Sequence, residues 1–330
     1  MGSRMPTPTS DALPRFLAIA NALRASGGWF DDWTMLRQSA LALPLCEGEP
    51  EALAGDMRAT MLALKKSASF WESQSASMRA FIATSLIQNG QSAASFYSGL
   101  KHARELFRAA RLPRGGTSEV LGYLVLREQA GGEDLNERDV RRMGELYREI
   151  KKDHPWLLGV GEYPTLALLA QTDLPAPEIA RRVEAILQRL EERGFRSRGR
   201  LIPIAQMLFF APDADSVACA RFESLWTEFT SEGLRMAAGD YDEVALLAFA
   251  PRTPKEIVRC VLSHREQIQT LRPKPGRDLS FALACATAFL ELVGGDPKLR
   301  KLSKAQAALQ TRSILVARQA AAAGAAAAAS

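Results

Sequence analysis

Seven apolar, alanine-rich stretches punctuate this chain, at residues 34–43, 78–87, 118–126, 162–170, 200–208, 240–248 and 278–286. Their starts fall 44, 40, 44, 38, 40 and 38 residues apart. Each follows a segment whose apolar residues recur at helical spacing, such as Val140, Met143, Tyr147 and Ile150, or Phe222, Leu225, Trp226 and Phe229. The pattern predicts pairs of helices: an outer amphipathic helix, a tight connection, and an inner helix that is apolar nearly all round. A helix of the second kind must be covered on every side, which one hairpin cannot do and stacked neighbours can.

A second landmark keeps the same phase. Phe30, Phe70, Leu112, Trp156, Phe195 and Leu234 each come a few residues after an amphipathic segment ends, and Gly194 and Gly233 directly precede two of them. That is the form of a left-handed C-cap whose next residue folds back on the last turn. Starts are marked too. Thr253-Pro254-Lys255-Glu256 reads as a capping box with proline at the first helical position, and Asp240-x-x-Glu243 and Ser303-x-x-Gln306 follow the same logic. The predicted fold is all-α, about seven antiparallel hairpins stacked as an α-solenoid, with a closed α/α toroid as the alternative of equal period. Residues 1–12 read as a loose N-terminus, 13–317 as one helical-repeat domain and 318–330 as an alanine-rich tail.

Composition narrows the class. The 330 residues are 47% hydrophobic and 24% charged, a globular balance, and the net charge of +5 is too mild to name a partner by itself. The longest uncharged apolar stretch, 279–290, is too short for a bilayer span, and the first residues lack a signal peptide's apolar core. Cys46, Cys219, Cys260 and Cys285 form no CxxC pair and read as small buried hydrophobes. A reducing, cytoplasmic setting is expected.

Lys151-Lys152-Asp153-His154-Pro155-Trp156-Leu157, followed by Glu162-Tyr163 and an apolar helix, resembles a recurring block of an uncharacterised bacterial family, the domain of unknown function numbered four thousand and three. Leu190-Glu191-Glu192-Arg193-Gly194-Phe195 resembles that family's next unit, and Arg111-Leu112-Pro113 an earlier one, the likeness covering roughly 15–290. Leu158-Gly159 and Arg200-Leu201-Ile202-Pro203 depart from its pattern, standing where the family has more polar residues. The resemblance implies the helical architecture and no mechanism.

Candidate chemistry is sparse. His102, His154 and His264 lie on three different units, none in HExxH. No paired ligand spacing is read among His, Cys, Asp and Glu, so no metal, cofactor or catalytic triad is expected. His154 precedes Pro155 and reads as the end of an outer helix, where the dipole favours a protonated imidazole; it is kept as a candidate binding residue. Glu162, Asp240 and Asp278 begin successive inner helices and read as caps before acid–base groups. Gly115-Gly116 and Gly159-x-Gly161 read as turns before phosphate cradles, since no strand precedes them.

Charge layout says more. Across the seven outer-to-inner connections Lys and Arg outnumber Asp and Glu sixteen to eight; across the inner-to-outer connections the ratio is four to thirteen. Helix dipoles explain part of this. They do not explain Arg114, Arg196, Arg198, Arg200, Lys274 and Arg277, which lie beyond the helix ends expected from the pattern. The five arginines and His154 are the expected binding residues. The expected function is a non-enzymatic binding or scaffold protein offering a basic edge to an acidic protein segment or polyanion. A nucleic-acid-binding repeat protein and a toroidal hydrolase are the alternatives.

Overall fold

The computed structural model describes residues 12–28, 32–68, 74–130, 135–153, 155, 162–211 and 213–293. Within them the fold is all-α, with no strand and fourteen α-helices that form seven hairpins. The first is α1 (Ala12–Ala25) with α2 (Trp33–Ala40), the second α3 (Pro50–Ser67) with α4 (Ala76–Gln88). Then come α5 (Ala93–Ala109) with α6 (Thr117–Gln129), and α7 (Glu137–Asp153) with α8 (Tyr163–Leu169). The last three pair α9 (Ala176–Glu192) with α10 (Arg198–Leu208), α11 (Asp215–Ser231) with α12 (Tyr241–Leu247), and α13 (Pro254–Ile268) with α14 (Arg277–Val293). The seven apolar stretches fall on the seven even-numbered helices.

The two layers differ as the pattern predicts. All seven residues of α8 are buried, whereas α9 buries the stripe Ile179, Val183, Ile186, Leu187 and Leu190 and leaves its other face wet. Odd-numbered helices pack on one another in chain order from α1 to α13, and inside them α2 packs on α4, α6 on α8, α10 on α12 and α12 on α14. One apolar cluster runs through both layers from Leu13 to Val293.

The row of hairpins returns on itself. Both α1 and α2 pack against α14, and the Arg37 guanidinium of α2 donates to the carbonyls of Arg272 and Pro273, each at 2.8 Å. Contact between the first and last hairpins is what the closed toroid requires and an open solenoid lacks. Arg37 is only 2% exposed, so these two carbonyls hold its charge where water does not.

Caps follow the sequence with one substitution. Gly194 (φ 91) and Gly233 (φ 80) take the left-handed conformation after α9 and α11. The next amides, of Phe195 and Leu234, donate back to Leu190 and Phe229 at 3.2 and 3.1 Å. After α5 the same place is held by Arg111 at φ 59, with Leu112 donating to Phe107 at 3.0 Å. Phe30, Phe70 and Trp156 lie outside the described residues. The Thr253–Glu256 capping box forms. The one expected at Asp240 does not: its Oδ2 accepts from the Ala237 amide at 2.7 Å, serving the turn before α12. Ser303, Gln306, the alanine-rich tail and residues 1–11 are outside the described residues. No described helix is long and apolar enough to cross a membrane.

Candidate binding rim and ligand cluster

Because every hairpin runs out along an odd-numbered helix and back along an even-numbered one, the seven outer-to-inner connections collect on one rim of the ring. Contacts between neighbours mark this rim: the Tyr163 hydroxyl donates to the Pro113 carbonyl, and the Arg196 amide donates to the Tyr241 hydroxyl at 3.3 Å. On the opposite rim the Gln88 side chain donates to the Ala42 carbonyl at 3.1 Å and Asn89 to the Glu128 carboxylate at 2.8 Å.

The expected arginines are all exposed. Arg114 lies in the connection between α5 and α6 and Arg196 in that between α9 and α10. Arg198 and Arg200 stand in the first turn of α10, and Arg277 opens α14. Their surroundings separate them. Arg198 is bound within the chain, donating to Glu191 at 2.6 Å and lying 3.6 Å from Glu184, so it belongs to the fold rather than to a free surface. The positive field of Arg277 reaches Asp240. Among the described residues no ion pair engages Arg114, Arg196 or Arg200. His154 lies outside the described residues.

Of the carboxylates at the inner-helix starts, Asp240 and Asp278 lie near enough to act on each other electrostatically. Glu162 is buried and accepts from the Thr165 hydroxyl at 3.5 Å, while Asp278 is exposed. Burial pushes the Asp240 carboxyl up, against the Ala237 hydrogen bond and Arg277, which pull it down. Next to it Glu243 carries a buried Oε2 with no hydrogen-bond partner; burial, then Asp242, push this carboxyl up to about 8.

A set of arginines on the opposite rim went unread in the sequence. Arg142, Arg182 and Arg221 follow one another at the repeat interval, 40 and 39 residues apart. Each sits in the second turn of its outer helix and reaches the connection that follows its hairpin. Arg142 donates to the Leu174 carbonyl, Arg182 to the Asp215 carboxylate at 2.7 Å and the Phe209 carbonyl at 3.5 Å, and Arg221 to the carbonyls of Ala250 and Arg252. Arg15 of α1 does likewise, donating to Cys46 and Gly48 at 2.6 and 2.5 Å.

The interval continues to Cys260, 39 residues beyond Arg221. Here two expectations need correction. Cys219 and Cys285 are buried as their Ala-Cys-Ala settings suggest, but Cys46 and Cys260 are only half-buried, Cys260 because it lies on an outer helix. The expectation that no paired ligand spacing exists also fails. Cys260-x-x-x-His264 puts a sulfur and an imidazole on one helix face, and Glu291 joins them from α14, the three ligand atoms lying within 4.8 Å of one another. The signal was in the sequence as an i, i+4 pair; only folding supplies Glu291, thirty-one residues from Cys260.

A cavity of about 430 Å³ opens between α5 and α6, with His102 on its exposed side and Arg127 at its buried end, where the guanidinium donates to the Tyr123 hydroxyl at 2.7 Å and to Ser95 at 3.2 Å.

The model of one protein family, described as "Protein of unknown function (DUF4003)", matches residues 63–320. No curated protein and no solved structure matches the chain.

Proposed function

The chain belongs to this family, Protein of unknown function (DUF4003), and because that description names no activity we propose one from the geometry: a non-enzymatic cytoplasmic binding protein whose basic rim receives an acidic protein segment. One observation carries the reading. Arginines of the acidic rim are absorbed by carbonyls of their own chain, whereas on the basic rim Arg114 and Arg200 stand exposed without an ion pair among the described residues, and exposed Arg196 spends one bond, at 3.5 Å, on the Glu191 carbonyl. Guanidinium forks suit carboxylates. The rim already uses them so within the chain, where Arg193 pairs with Glu223 and Arg198 with Glu191.

The test is binding of a fluorescent oligoglutamate peptide to the full chain and to a variant in which Arg114, Arg196 and Arg200 are all changed to Ser. The reading expects saturable binding that weakens with salt. In the variant it expects binding at least tenfold weaker, at unchanged thermal stability. Equal binding by both proteins would refute it.

Hydrolysis inside the ring has one observation in its favour: the Glu243 Oε2 is buried with no hydrogen-bond partner, and burial pushes its carboxyl up, toward the state a general acid needs. Turnover of glycoside substrates that is lost in Glu243→Gln would favour that reading over binding alone.

A further inference from the structure

Among the described residues, the last hairpin holds a group of donors unlike anything in the hairpins before it. Counted from the first residue of each outer helix, Cys260 of α13 stands where α9 and α11 carry Arg182 and Arg221, and His264 stands where α9 carries Ile186. Counted along the inner helices, Thr287 of α14 stands where α10 carries Leu208. At two places where the repeat buries hydrocarbon, this hairpin buries an imidazole and a hydroxyl.

The Thr287 hydroxyl donates to the Leu283 carbonyl at 2.9 Å, within its own helix, so its oxygen is left to accept from His264 Nδ1 at 2.9 Å. With the ring proton on Nδ1, Nε2 presents its lone pair. Facing that lone pair are Cys260 Sγ at 3.6 Å and Glu291 Oε2 at 3.2 Å. Three electron-rich atoms thus meet at one point from two helices.

A catalytic triad does not have this shape. In a triad the nucleophile and the orienting carboxylate take different ring nitrogens. Here sulfur and carboxylate share Nε2, while Nδ1 is held by a hydroxyl. This is the arrangement of a metal ligand, whose second nitrogen is fixed by an outer hydrogen bond. Two of the three spacings fit as well, and the sulfur and carboxylate oxygen lie within 4.8 Å of each other. With zinc–sulfur and zinc–nitrogen bonds of about 2.3 and 2.05 Å, a tetrahedral ion sets S and N about 3.6 Å apart and N and O about 3.4 Å apart. The cluster has 3.6 and 3.2 Å.

We propose that Cys260, His264 and Glu291 bind a first-row transition-metal ion of the zinc type, with Thr287 orienting the imidazole. Thiolate and imidazole donors select such an ion over magnesium or calcium, which take oxygen ligands. Three protein ligands leave a fourth position open, and Glu291, 36% exposed at its side chain, brings solvent to it. Glu291 lies near the end of α14, away from the basic rim, and the site stands independently of the binding proposed there.

Cobalt(II) is the probe. The full chain, reduced and freed of metal, is titrated with Co²⁺ and then with Zn²⁺. One Co²⁺ per chain is expected, with a thiolate-to-cobalt charge-transfer absorption that Zn²⁺ abolishes, and Zn²⁺ should raise the melting temperature of the wild type. Cys260→Ser should remove the absorption and the thermal shift. Glu291→Gln, at a position exposed enough to leave the fold intact, should weaken binding at least tenfold, and Thr287→Val should weaken it by roughly 10–100-fold, as loss of an outer hydrogen bond does. The proposal is overturned if no stoichiometric Co²⁺ binds. It is equally overturned if the thiolate absorption survives in Cys260→Ser, or if Glu291→Gln binds as tightly as the wild type.

Discussion

Both rims of the ring fasten neighbouring elements with arginines, and the basic rim also leaves Arg114 and Arg200 to water. On the acidic rim Arg15, Arg142, Arg182 and Arg221 turn inward and donate to the connection that follows their hairpin, so each guanidinium fastens one repeat to the next. On the basic rim Arg114, Arg196 and Arg200 lie beyond or at the ends of their helices and are exposed, Arg196 with one bond at 3.5 Å to the Glu191 carbonyl. The difference follows from register. An arginine in the second turn of an outer helix lies over the next connection, within reach of carbonyls that would otherwise lack donors; an arginine in a connection has no following element above it. Net charge on a rim is therefore a poor guide to what the rim binds until the fastened arginines are set aside.

Mutation separates the two uses. Arg221→Ala should cost about 1.5–3 kcal/mol, the range for hydrogen bonds made by a charged group, whereas Arg200→Ser should stay within about 0.5 kcal/mol. Urea unfolding measures both, and equal costs would break the contrast between the rims.

The next effect is one of pH. The folded pKa of Glu243 lies above the ordinary carboxylate value because of burial first, then Asp242, with Asp240 and Asp278 also adding to it. The folded state then binds the extra proton between the two values, so this group's contribution is full below about pH 4.5 and is lost as pH rises through about 8. Glu243→Gln, which stays neutral, should gain on the wild type as pH rises, by at least about 1 kcal/mol between pH 5 and pH 8. A constant difference across that range would show that Glu243 is already ionised in the fold.

The smallest effect lies on the basic rim itself. Arg111 holds the left-handed position that glycine holds after α9 and α11, and Arg111→Gly should stabilise by about 0.5–1 kcal/mol, strain relieved less the entropy glycine adds to the unfolded chain. A loss of stability would mean that the Arg111 side chain makes contacts outweighing its backbone strain.

The layers were legible because burial writes itself into periodicity: α8 reads as apolar all round and is buried throughout, and α10 is largely buried beyond its exposed first turn. Closure was not, because it depends on Arg37 meeting the carbonyls of Arg272 and Pro273, some 235 residues away. The arginine fasteners recur at a visible interval, yet a charged residue on a predicted wet face gives no sign that carbonyls lie above it. Cys260 and His264 were readable as a pair by spacing. Neither the Glu291 carboxylate nor the hydroxyl of Thr287 could be assigned to them before α14 folded back on α13.

The central claim, that the basic rim and not the opposite one receives an acidic segment, is tested most directly by a hydrogen-exchange footprint. Amide exchange of the full chain is followed with and without saturating oligoglutamate peptide. The account predicts slowed exchange at residues 110–116 and 193–200, with none at 170–175 or 248–253. Slowing on the latter connections, or none on either rim while the peptide is bound, would contradict it.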